Sequence, residues 1–179
     1  MRQYKRWMAA ALLVATVWTL AACERLQQGD FDYLQGDFEA EAEGNCQGRS
    51  FSCLMVYRGG ECREVRYLSP PALEGLTLER SGSQWRMCFA GHQTNFDNSE
   101  AFWGLLMPMR LFEAGGDGRL VSTVQKTVDG RLFQVQAGGD LGELTIAADA
   151  NGNPVTVSGA GTVIRVRIRR SAEDEASQL

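Results

Sequence analysis

Only one histidine, His92, and four prolines occur in the 179 residues. A single imidazole is too few for the usual mixed zinc sites. A serine triad would have to rest on His92 alone, beside Ser99 or another serine. No Gly-x-Ser-x-Gly elbow occurs, and no two cysteines are spaced C-x-x-C. The chain is therefore read as a non-enzyme, with no catalytic residue, no metal ligand and no bound cofactor assigned. No apolar run reaches the roughly 20 residues of a membrane-spanning helix, which excludes a polytopic protein. Positive charge is also scarce: 18 basic side chains face 22 acidic ones, a net of −4, so the basic face of a nucleic-acid binder is missing. Hydrophobic residues at 44% and charged residues at 22% are a globular balance, and the length suits one domain.

What is present begins with an address. Arg2, Lys5 and Arg6 precede an uncharged stretch from Trp7 to Ala22, which ends in Leu20-Ala21-Ala22-Cys23. A positive start, a short apolar core and small residues before a cut describe a secretory signal. The closing tetrapeptide resembles a bacterial lipobox. The resemblance implies cleavage after residue 22, a covalent diacylglyceryl group on Cys23, and residues 23–30 as a tether. Loss of residues 1–22 removes three basic and no acidic side chains, leaving 15 against 22 and a net of −7. Such a domain gains nothing from an anionic membrane surface, so two acyl chains, at about 0.8 kcal/mol per buried methylene, must hold it there.

The rest reads as consecutive antiparallel strands. Phe38, Ala40, Ala42 and Gly44 alternate with Glu39, Glu41 and Glu43, a period of two with one face in water. Ser50–Tyr57 places Phe51, Cys53, Met55 and Tyr57 on one side. Gly59-Gly60 marks a turn into Glu61–Leu68. Residues 69–75, Ser-Pro-Pro-Ala-Leu-Glu-Gly, fit one helical turn with Ser69 as cap and Pro70 in the first position. Leu76–Arg80 and Gln84–Ala90 follow, the latter alternating Trp85, Met87 and Phe89 with Arg86 and Cys88. Later strands are predicted over Leu120–Thr127, Arg131–Gln136, Glu143–Ala148, Val155–Ser158 and Thr162–Arg169, with Asp129-Gly130 as a hairpin turn. Residues 171–179 read as a disordered polar tail.

One long helix is predicted, Asp97–Phe112, with Asp97 and Glu100 at capping-box spacing. Phe102, Leu105, Leu106, Met109 and Phe112 form one stripe, and Trp103, Met107 and Leu111 a second, so the helix is apolar over most of its surface. Pro108 is expected to kink or split it. The fold class is thus mainly β, an antiparallel open or half β-barrel of about nine or ten strands over residues 31–170, covered by the mid-chain helix.

Other clusters have plainer readings. Cys46, Cys53, Cys62 and Cys88 allow two disulfides in three pairings, or four buried thiols. The acidic stripe Asp37, Glu39, Glu41 and Glu43 spreads its carboxylates some 7 Å apart along a strand, which suits a solvated face better than a calcium site. The glycine runs 115–118 and 138–139 read as hairpin tips. Phe51, Met55, Tyr57, Trp85, Met87, Phe89, Phe102, Trp103 and Leu106 either fill a core or line a cavity for an apolar ligand.

The chain resembles the lipoprotein-carrier group of the LolA/LolB and LppX/LprG type. The resemblance rests on the lipobox, the opening strand at residues 34–42, the proline-containing turn at 70–76, the Trp85 strand, the mid-chain helix and the late hairpins. It also resembles small lipoproteins of Firmicutes to which no activity attaches. The carrier resemblance implies an incomplete barrel with a helical lid that holds acyl chains. The expectation is a membrane-anchored lipoprotein on the extracytoplasmic face, of the cell membrane or of an outer membrane, binding a lipid such as palmitate or another acyl chain. The helix would act as a gate hinged near Pro108 or Gly115-Gly116. The alternative is a packed envelope scaffold that recognises a protein partner through a sheet edge.

Overall fold

The computed structural model describes residues 33–46, 48–97, 102–116, 121–127 and 130–170. The signal segment, Cys23, the tether and the tail lie outside the described residues. Alternating side chains lay down β1 (Phe38–Cys46), β2 (Arg49–Arg58), β3 (Glu61–Ser69), β4 (Thr77–Ser81), β5 (Gln84–Phe89) and β6 (His92–Phe96). A helix, α1 (Trp103–Gly116), comes next. It is followed by β7 (Val121–Thr127), β8 (Gly130–Gln136), β9 (Glu143–Ala148), β10 (Pro154–Gly159) and β11 (Thr162–Arg170).

The strands form one sheet in the order β6-β5-β4-β3-β2-β1-β11-β10-β9-β8-β7, every neighbour antiparallel. Among the described residues it has eleven strands and stays open, because β6 and β7 at its two ends do not pair. Two meanders run outward from the middle, where β1 meets β11. The mainly β architecture with one mid-chain helix agrees with the sequence reading.

The extra strand is β6. Its residues His92–Asn95 are exposed and only Phe96 is buried, so no alternation announces it. Ala90 and Gly91 turn the chain at φ 49° and 81°, and the backbone of β5 supplies the pairing. His92 therefore sits exposed on an edge strand and not in a loop.

The central seam explains the acidic stripe. Glu39, Glu41 and Glu43 on β1 stand opposite Arg169, Arg167 and Arg165 on β11, and Arg169 also reaches diagonally to Glu41 at 3.0 Å. Exposed pairs of this kind add little stability each. Opposite charges across a strand pair do favour this register over a slipped one.

Residues 69–75 do not form the expected helical turn. Leu73 N–H donates to the Pro70 carbonyl and Leu76 N–H to the Leu73 carbonyl, which makes two successive tight turns. Ser69 shares a hydroxyl hydrogen bond of 2.8 Å with Ser52 and caps nothing. The helix also differs from Asp97–Phe112. It starts at Trp103, after a helical turn at Phe102, and ends at Gly116. Asp97 closes the preceding extended segment, and Glu100 lies outside the described residues. Pro108 neither splits nor ends α1. It sits in the interior of the helix, buried, leaving the Gly104 carbonyl without its helical donor.

The close packing of the end at Gly116 requires glycine. A Cβ on Gly115 would lie 2.7 Å from Ile146 Cδ1, and one on Gly116 would lie 2.3 Å from Leu34 Cδ1. Only glycine lets the helix end nest against Tyr33-Leu34 and β9. The Tyr33 hydroxyl donates to the Phe112 carbonyl, one turn before the helix end, at 2.5 Å and ties that end to the segment before β1.

Candidate functional site

α1 crosses the sheet diagonally. Near its start, the Tyr67 hydroxyl of β3 donates to the Leu105 carbonyl at 2.8 Å. Ten residues on, about 15 Å along the axis, Gly115 meets Ile146 of β9. Between these points the Arg110 guanidinium grips Asp140, in a short turn between β8 and β9, at 2.7 and 3.4 Å. The hydrogen bonds from Arg110 hold the Asp140 carboxyl below the ordinary carboxylate range. The pair is thus made at neutral pH and is released only as acid protonates the carboxylate.

Under the second half of α1 the space is filled. Phe38 stacks on Tyr57 with centroids 4.6 Å apart, and Phe112 sits 6.1 Å from Phe38, 5.5 Å from Tyr57 and 4.9 Å from Tyr33. All four rings are at most 3% exposed. The Tyr57 hydroxyl has no hydrogen-bond partner among the described residues, and its polar neighbours are Cys62 and Glu113. Burial pushes its ionisation far up, so it stays a neutral phenol.

Under the first half of α1 the space opens, for a reason written in β1. The inner face of that strand runs Phe38, Ala40, Ala42, Gly44, Cys46, from a large ring down to a hydrogen atom. A cleft of about 520 Å³ lies at the small end. The inner row of β2, antiparallel to it, places Tyr57 opposite Phe38, Phe51 opposite Gly44 and Arg49 opposite Cys46. Phe51 and Tyr67, at most 8% exposed, form the deep part, with Leu73 from the turn and Leu105 from α1 beside them. Cys46, Arg49 and Ser50 stand at one end, and Pro70, Ala72 and Gly104 complete the wall. A Cβ on Gly104 would meet nothing within 4 Å. Burial holds the Tyr67 phenol well above its usual range, so it remains a donor to Leu105 and ties the helix to the cleft.

The nine candidate lining residues separate. Phe51 lines the cleft. Met55, Tyr57, Trp85 and Leu106 are core, each at most 3% exposed. Met87 is half-buried and Phe89 is 40% exposed, both on β5. Phe102 packs on Phe96 with centroids 4.3 Å apart. The Trp103 side chain lies outside the described residues. Arg49, Cys46, Tyr67, Leu73 and Leu105 are not among the lining residues expected from the sequence. The i, i+2 phase that selected Phe51 does extend back to Arg49, one residue before the expected strand start.

All four described cysteines are free. Burial pushes the Cys53 thiol up to about 12 and the Cys62 thiol higher still, so both are inert. Cys46, at the cleft, and Cys88 are partly exposed. Among the described residues no three His, Cys, Asp or Glu side chains converge as a metal site would require. A second hollow of about 320 Å³ lies against Glu41, Glu43, Arg165 and Arg167. Its two signs of charge face each other across the central seam.

Among the described residues, the fold is an open antiparallel sheet spanned by one diagonal helix, with a cleft where that helix starts. Among solved structures, an uncharacterized conserved protein of Thermus thermophilus superposes with a TM-score of 0.53 at 11% identity, over 84% of this chain and 88% of that one. A LolA superfamily protein of Nitrosomonas europaea gives 0.42 at 9% identity, over 84% and 95%. The lipoprotein LppX of Mycobacterium tuberculosis gives 0.43 at 11%, over 82% and 92%. At such identities the likeness concerns the fold alone. No family model and no curated protein matches the sequence.

Proposed function

We propose that this protein is a lipid-anchored, extracytoplasmic binding protein that shelters the apolar chain of a lipid in the cleft between β2, β3 and the start of α1. The observation that carries this reading is the cleft itself. Its volume of about 520 Å³ falls in the ~300–1,000 Å³ range of small-molecule sites, and its deep wall is aromatic and aliphatic. Burial of a chain there is worth roughly 25 cal/mol per Å² of apolar surface. The filled half of the interior anchors α1, so the opening lies at the end marked by Gly104 and Leu105 and not at a hinge at Gly115-Gly116.

Cys46 and Cys88 report on this directly. In the full chain, a saturating monoacyl lipid is expected to slow iodoacetamide alkylation of Cys46 about fivefold or more, read by peptide mass spectrometry, and to leave Cys88 unchanged. Gly104→Phe, which projects a ring into open space, is expected to abolish the protection while preserving the fold. Equal alkylation of Cys46 with and without lipid would remove the binding reading.

Anchoring is tested apart. Cys23→Ser removes the thiol that carries the diacylglyceryl group. It is expected to eliminate incorporation of an alkyne-tagged palmitate precursor and to leave the protein uncleaved or released from the membrane. Undiminished labelling of the variant would place the lipid on another residue, and an unlabelled parent would remove the lipid anchor.

A further inference from the structure

We infer that the cleft takes a single-chain amphiphile with an anionic head, its chain against Phe51, Tyr67 and Leu105 and its head on the Arg49 guanidinium. The inference deepens the binding reading and rests on it.

Size suits one chain. A methylene is close in bulk to a water molecule, whose share of liquid volume is about 30 Å³. A long acyl chain of roughly 16 such groups fits in the cleft of about 520 Å³.

Charge fixes the head. Among the described residues Arg49 is the only charged one lining the cleft, and none of them places a carboxylate there. It belongs to the inner row of β2, two residues before Phe51 and opposite Cys46, where every other member of the row is apolar, a thiol or an aromatic ring. The remaining β2 arginine, Arg58, pairs with Asp37. The Arg49 side chain makes no ion pair or hydrogen bond among the described residues. A guanidinium presents a planar fork that fits carboxylate or phosphate oxygens in pairs. At the exposed end of an apolar cleft, that fork complements a ligand whose tail goes in and whose charge stays at the entrance.

The test uses the full chain in a mild non-ionic detergent with two diazirine probes of equal length, a hexadecanoic acid and the corresponding neutral hexadecanol. Adducts are mapped by peptide mass spectrometry. Both probes are expected to label peptides carrying Phe51, Tyr67 or Leu105, the acid at about fivefold lower half-saturation, an advantage that shrinks in salt. Arg49→Gln is expected to erase that advantage and leave the alcohol unchanged. Lysophosphatidate and palmitate as unlabelled competitors distinguish a phosphate head from a carboxylate, and two-chain phosphatidate is expected to compete poorly.

Equal half-saturation of acid and alcohol, or an Arg49→Gln variant with an unaltered preference, would overturn the head assignment and leave the binding reading standing. Equal competition by the two-chain lipid would overturn the single-chain assignment. Labelling of the cleft by neither probe would overturn both the inference and the reading beneath it.

Discussion

Phe112→Ala is expected to destabilise the protein by about 3–5 kcal/mol, the range for deleting a buried aromatic ring. Phe112 has no exposed surface and touches the rings of Tyr33, Phe38 and Tyr57, three parts of the core joined by one side chain. The space left would be bounded by rigid rings and sheet backbone, which collapse poorly, so the loss falls toward the upper end. Urea denaturation of the variant against the parent measures it, and a loss below about 1 kcal/mol would show that α1 does not depend on this cluster. Tyr57→Phe is the informative contrast, because it removes only a hydroxyl that has no partner. Burying an unpaired hydroxyl is itself costly, so this variant is expected to match or slightly exceed the parent in stability.

Gly44→Val is expected to prevent assembly of the native sheet. A Cβ at position 44 would sit 2.3 Å from the Val163 carbonyl oxygen and 3.0 Å from Ile164 Cγ2. The first of these is backbone in the neighbouring strand and cannot turn aside as a side-chain tip can. Relief requires β1 and β11 to separate or shear where they pair, at the middle of the sheet. Overpacking commonly costs about 1–3 kcal/mol, occasionally more, and a backbone clash between central strands belongs with the larger values. The expected readout is loss of cooperative thermal unfolding. A variant that melts within a few degrees of the parent would mean that the seam is looser than the register implies. The same glycine makes the cleft, since Phe51 opposite it has no facing side chain on β1.

Much of this was legible in the sequence because period-two patterning is a local signal. The Phe38–Gly44 and Phe51–Tyr57 alternations give the inner face directly, and the apolar circumference of the mid-chain helix agrees with its burial, no described side chain after Gly104 being fully exposed. The failures share a different character. β6 is polar, and its backbone pairing with β5 makes it a strand. α1 runs on past Phe112 to Gly115 and Gly116, which the sequence offers as a turn and which Tyr33, Leu34 and Ile146 approach closely. The segment 69–75 carries helix-start chemistry, yet Ser69 finds a better partner in Ser52 across the β2–β3 pair. The candidate lining residues were drawn from aromatic and methionine stripes, which cannot tell a packed ring from a cavity wall. The taper of β1 from Phe38 to Gly44 was present in the sequence, and it marks which end of the interior is empty.

The meeting of β1 and β11 also governs the order in which this molecule can be made. Each meander joins strands adjacent along the chain, so hairpins can form as soon as they are synthesised. The seam brings together Cys46 and Thr162, 116 residues apart, and β11 emerges after every other strand. Until then β1 has one bare flank, and closing so long a loop is slow. The first meander, complete by Phe96, therefore waits for its β11 neighbour until the chain is almost finished. The acidic and basic rows of the seam then settle which register the late-arriving strand adopts.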